Sequence, residues 1–105
     1  MIINILGTEY TIIYEPFNDN DIDGYCDYTD KTIHIRNDNI NKLGNFKANQ
    51  NKQLRHEIIH AFMSESGLQS NWQHVEEYGQ DETTVDWFAI QSPKIYNVFS
   101  DLKIL

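Results

Sequence analysis

The stretch from Lys47 to Ser66 contains neither glycine nor proline, and within it Leu54, Ile58, Ala61 and Phe62 recur at the spacing of one helix face. A helix here constrains the rest of the chain, because its apolar face must be covered by another layer. Gly67 follows at once and reads as the stop, since the residue after a helix end often takes positive φ. The preceding half supplies the cover. Ile2 to Leu6 and Glu9 to Tyr14 are rich in Ile and Tyr and are separated by Gly7-Thr8, which predicts a hairpin. Tyr25 to Tyr28 and Thr32 to Arg36 flank Thr29-Asp30-Lys31 and predict a second. Alternation places Ile33 and Ile35 on one face of the last strand and Thr32, His34 and Arg36 on the other. Pro16 with the acidic residues 18–23, and the Asn-rich residues 37–45, read as loops.

After Gly67, residues 67–80 read as a loop. A second helix is expected from Asp81 to Gln91, with Val85, Phe88 and Ala89 as its apolar stripe. Ser92-Pro93 reads as the start of a third helix, because Ser caps and Pro fits the first helical position. That helix carries Ile95, Val98, Phe99 and Leu102 on one face. Strands first and helices after give an α+β fold: a small antiparallel or mixed sheet packed on about three helices, in one domain over residues 1–105.

Composition removes several classes of function. The chain has 16 acidic against 8 basic residues and a formal charge of -8, with no cluster of Lys and Arg, so nucleic acid is not an expected partner. The acidic residues are not laid out in regular runs, which argues against a mimic of DNA. No apolar run is long enough to span a bilayer, and residues 1–7 lack the basic and apolar regions of a signal peptide. The lone Cys26 cannot form an internal disulfide and reads as a small buried residue, in keeping with a cytoplasmic setting. His34 reads as an exposed residue on an edge strand.

The chemistry lies in the first helix. His56-Glu57-Ile58-Ile59-His60 is an H-E-x-x-H pattern. Residues i and i+4 lie one above the other on a helix, so two imidazoles can converge on one ion. Glu57 sits about 100° around the helix from His56, beside the ligands rather than among them. From there a carboxylate can take a proton from a metal-bound water whose pKa has fallen to about 7. A site of this kind needs a third protein ligand. The extended pattern H-E-x-x-H-x-x-G-x-x-H fails, because Met63 and Ser66 occupy its last two fixed positions. Glu82 and Asp86, spaced i and i+4, offer one carboxylate for the metal and one to accept a hydrogen bond from a ligand histidine. Glu76, Glu77 and His74 remain alternatives; Glu76 has Gln80 at i+4, whereas Glu77 has Asp81 there.

H-E-x-x-H followed by E-x-x-x-D on a later helix resembles the gluzincin branch of zinc metallopeptidases. The whole chain is also similar to small zincin-like proteins of phages and prophages, and more loosely to ImmA/IrrE-type domains. Gly24-Tyr25-Cys26-Asp27-Tyr28, Leu54 to Phe62, Glu82 to Trp87 and Ser92-Pro93-Lys94-Ile95 carry that likeness. It implies a minimal zincin-like fold, Zn²⁺ as cofactor, His56, His60 and Glu82 as ligands, and Glu57 as general base. Asp86 would then pair with His56. The second domain that supplies an oxyanion-stabilising side chain in thermolysin-like enzymes has no counterpart here, which leaves His74 and Tyr78 as candidates. The resemblance also implies a peptide or protein substrate lying along an edge strand, expected at Thr32 to Arg36. The competing expectation is a non-catalytic regulatory or binding module with a structural or vestigial metal.

Overall fold

The structure is a computed structural model that describes residues 1–72 and 82–105, with the backbone alone at 71, 72, 82, 83, 85, 86 and 89. Four strands come first: β1 (Ile2–Ile5), β2 (Thr8–Glu15), β3 (Gly24–Asp27) and β4 (Thr32–Arg36). Helices α1 (Phe46–Glu65), α2 (Leu68–Trp72) and α3 (Glu82–Leu102) follow. The fold is α+β, as the sequence implies.

Both hairpins form. β1 and β2 pair antiparallel with Ile5 opposite Thr8, so the turn is Leu6-Gly7, one residue earlier than expected. Leu6 and Gly7 both have positive φ (53° and 94°), the backbone that a two-residue hairpin turn demands. The β3–β4 turn is held by Asp27, whose Oδ1 accepts from the Thr29 and Asp30 amides and from the Thr29 hydroxyl. These bonds, the Thr29 hydroxyl first, hold the Asp27 carboxyl below the usual range.

The sheet order is β1-β2-β4-β3, with β2 and β4 parallel. This corrects one expectation. Thr32 to Arg36 is an interior strand, paired to β2 on one side and β3 on the other, so its backbone cannot receive another chain. The edges are β1 and β3. The order follows from residues 16–23, which carry the chain past the end of β4 to reach β3. Arg36, only 2% exposed, anchors that crossing. Its guanidinium donates to the carbonyls of Asp19 and Ile22 and to both carboxylate oxygens of Asp38, and it lies over the Phe17 ring. A buried charge needs such full pairing.

α1 begins at Asn45, whose side chain accepts from the Ala48 amide, and ends at Ser66 and Gly67, the latter at φ 85°. Its buried face, Leu54, Ile58, Ala61 and Phe62, packs on Ile3, Ile5, Tyr10, Ile12, Ile33 and Ile35 of the sheet. Two local features fix the seat of α1. A Cβ on Gly24 would stand 2.9 Å from the His34 carbonyl oxygen and 3.0 Å from Gln53 Cγ, so glycine allows helix and edge strand to close up. At the other end Glu65 accepts from Thr8 Oγ1 (3.0 Å), Tyr10 Oη (2.8 Å) and Lys31 Nζ (2.6 Å).

The C-terminal half differs from expectation twice. Residues 82–102 form one helix with Pro93 inside it, not two helices divided at Ser92-Pro93. An interior proline forfeits one backbone bond and costs about 3 kcal/mol. Burial of Ile95, with Trp87, Val98, Phe99 and Leu102 packed on the same core, offsets that cost on both sides of the proline. The segment after Gly67 also contains a helical turn, α2, anchored by the buried Leu68. No helix among the described residues is long and apolar enough to cross a membrane.

Candidate metal centre

α1 carries the candidate site on its middle turns. Glu57 points toward the sheet and is 4% exposed, while His56 and His60, on the neighbouring face, are exposed. The histidine Nε2 atoms stand 3.2 Å apart, with the rings tilted 72° to one another. The ligand atoms of His56, Glu57 and His60 all lie within 4.8 Å of each other, so the group could hold a metal ion. The donor geometry fits one. At a metal–nitrogen distance of about 2.0–2.1 Å, nitrogens so spaced subtend an angle of roughly 100°, close to tetrahedral.

Glu57 is held from its own helix. The Gln53 side-chain amide, one turn earlier, donates to Oε2. A buried carboxylate held in a fixed orientation suits proton transfer. Gln53 was not among the residues the sequence singles out, although its i−4 spacing from Glu57 is a legible signal. Gly24 was not singled out as a close-packing residue either, and no one-dimensional pattern marks that contact.

A cleft of about 570 Å³ opens over these side chains. Its floor is His56, Glu57, His60 and Met63 of α1; its walls are β3 with Tyr28 on one side and Gln69 of α2 on the other. Cys26 lines this cleft and is half-buried rather than fully buried. Burial, then the negative charges of Glu57 and Asp27, push its thiol up to about 12, so it is protonated at neutral pH.

Among the described residues, β3 is an edge strand and borders the cleft. The Arg36 amide donates to the Asp23 carbonyl (2.9 Å), which marks a hydrogen-bonded pair at the entry to β3. By antiparallel alternation Tyr25 also faces β4, and the backbone groups of Gly24 and Cys26 turn outward.

His34 lies on the opposite sheet face and takes no part in the cluster. It is not the exposed edge residue expected: its side chain is 15% exposed, stacked on Tyr25 at 4.3 Å and bonded to Glu15 and Thr32. Of the other expected residues, Glu82 opens α3 and Asp86 lies one turn on, but their side chains fall outside the described residues. His74, Glu76, Glu77 and Tyr78 also lie outside the described residues. The structure thus brings together His56, Glu57 and His60.

No protein-family model matches the chain, and searches of curated proteins and of solved structures gave no significant match.

Proposed function

We propose that this protein is a zinc-dependent metallopeptidase that hydrolyses a peptide bond with Glu57 as general base. The observation that carries the reading is the pair of imidazole nitrogens 3.2 Å apart beside a buried carboxylate, at the floor of a cleft bordered by the edge strand β3. His56 and His60 hold the metal, with Glu82 of α3 as third ligand and Asp86 accepting the outer ring N–H of His56. Zinc suits two imidazoles and a carboxylate, and when bound it supplies an acidified water and polarises a carbonyl. Glu57 takes the proton of the attacking water and delivers it to the leaving amine, with Gln53 keeping the carboxylate aimed. His74 and Tyr78 remain the candidates for stabilising the oxyanion.

The substrate lies along β3, the edge strand that borders the cleft, in place of the interior β4. Outward N–H and C=O groups at Gly24 and Cys26 would pair with a peptide backbone, which gives affinity with little dependence on side chains. We place the activity in the cytoplasm, consistent with a single free thiol and no disulfide.

Three preparations test the proposal: wild type, His56→Ala and Glu57→Gln, each assayed for bound zinc and for cleavage of a mixed fluorogenic peptide library. Wild type should bind one zinc and cleave. His56→Ala should lose both properties, and Glu57→Gln should keep zinc and lose cleavage. Undiminished cleavage by Glu57→Gln overturns the mechanism. Zinc binding without cleavage, and without affinity for a hydroxamate, would favour the non-catalytic binding module.

A further inference from the structure

We infer that Ser66 and Trp87 are positioning residues for the metal centre: their hydrogen bond sets the N-terminal half of α3, and with it the third ligand, against the helix that carries His56 and His60. The inference rests on the reading of α3 as the source of that ligand.

Ser66 caps the C-terminus of α1, six residues beyond His60, where Gly67 turns the chain away. Its hydroxyl accepts from the Trp87 indole Nε1–H at 2.6 Å. Trp87 stands in the second turn of α3, directly after Asp86 and five residues after Glu82. One short bond therefore joins the end of the histidine helix to the second turn of α3, which carries Asp86 and follows the turn of Glu82.

Pro93 makes this anchor necessary. The C-terminal half of α3 is held by Ile95, Val98, Phe99 and Leu102 in the core, and the Arg55 guanidinium donates to the Ile104 carbonyl beyond it. Proline interrupts the backbone ladder between that half and the preceding turns, and such a break is where helices bend. The N-terminal half therefore takes its direction in part from its own contacts. Among the described side chains there, Phe88 and Ile90 are exposed and Thr84 is half-buried, while Trp87 packs on the core and reaches Ser66. A ligand displaced by about 1 Å loses much of its bond to a metal, so an anchor one residue from Asp86 acts on affinity as well as on stability.

The test measures zinc affinity by competition with a chromophoric chelator, and the visible spectrum of the cobalt-substituted protein. The variants are Ser66→Ala, Ser66→Thr, Trp87→Phe, Glu82→Ala and the double variant Ser66→Ala/Glu82→Ala. Ser66→Ala and Trp87→Phe should each weaken zinc binding about tenfold. Both should also lower the cobalt absorption toward that of a site with fewer protein ligands. Ser66→Thr keeps the hydroxyl and should restore wild-type values. Adding Ser66→Ala to Glu82→Ala should weaken binding no further, because the bond acts through that ligand. Trp87→Phe removes the indole N–H while keeping an aromatic ring in the core, and keeps the test valid if Ser66→Ala does not fold. Unchanged zinc affinity and cobalt spectrum in Trp87→Phe, or fully additive losses in the double variant, would overturn the inference. Wild-type affinity in Glu82→Ala would instead overturn the ligand assignment beneath it.

Discussion

The Gln53 amide donates to Glu57 Oε2 across one turn of α1, so the buried carboxylate is oriented by the same helix that presents the histidines. All three site side chains and their orienting partner thus move as one rigid body. The bond is charge-assisted, worth about 1.5–3 kcal/mol when its partner is buried. On the proposed mechanism, Gln53→Ala should leave zinc content unchanged and lower kcat about tenfold or more, since a carboxylate free to rotate spends less time aimed at the water. Zinc analysis beside steady-state kinetics checks this. A loss of zinc in Gln53→Ala would show that the residue supports the fold of the site instead.

Much of this arrangement is legible from α1 alone. Its periodicity, its glycine stop and the H-E-x-x-H spacing are local signals, and the structure keeps each of them. Sheet order is not local. Whether Thr32 to Arg36 lies inside or at an edge depends on residues 16–23 crossing the end of β4, and the clue to that crossing was a single arginine that must be buried to anchor it. Pro93 misled for a related reason. Its intrinsic preference favours a helix start, but packing of Trp87 and Ile95 on one core outweighs a preference of about 3 kcal/mol. α2 spans five residues, too few to show a period.

Gly24 should tolerate no side chain. In Gly24→Ala the new methyl meets a backbone carbonyl oxygen at 2.9 Å and Gln53 Cγ at 3.0 Å, and the carbonyl belongs to an interior strand that cannot withdraw. The cost of such overpacking is about 1–3 kcal/mol. Chemical denaturation should show a lower midpoint with an unchanged slope. If helix and strand separate to make room, Gln53 moves with α1, and cleavage should fall further than stability does.

Glu65 predicts a pH dependence. Burial pulls its carboxyl upward, but hydrogen bonds from Lys31, Tyr10 and Thr8, with the Lys31 charge, outweigh this and hold it below the usual range. A carboxyl lowered in the folded state stabilises fully above its unfolded pKa of about 4.3, and that stability is lost as pH falls through the folded value. Glu65→Gln should therefore cost about 2 kcal/mol at pH 7. The gap between variant and wild type should narrow below about pH 4, which urea unfolding at several pH values would reveal. A gap that stays constant to pH 2.5 would mean the charge of Glu65 contributes nothing.

Cys26 tests the electrostatics of the cleft directly. Its thiol is pushed up to about 12, by burial first and then by the negative charges of Glu57 and Asp27. Reaction needs the thiolate, so at pH 8 the native protein should react with a disulfide reagent roughly a thousandfold more slowly than the unfolded chain. Glu57→Gln removes one of the opposing negative charges and should speed the native reaction only modestly, because burial is the larger cause. The same shift has a thermodynamic face. The folded state holds this proton more tightly than the unfolded chain, so stability should decline once the pH passes the unfolded thiol value of about 8.5. Cys26→Ala removes that part of the alkaline decline and, on the proposed ligand set, should leave zinc binding unchanged. Rapid labelling of native Cys26 at pH 8 would show that the wall of the cleft is more open to water than its burial beside Glu57 allows.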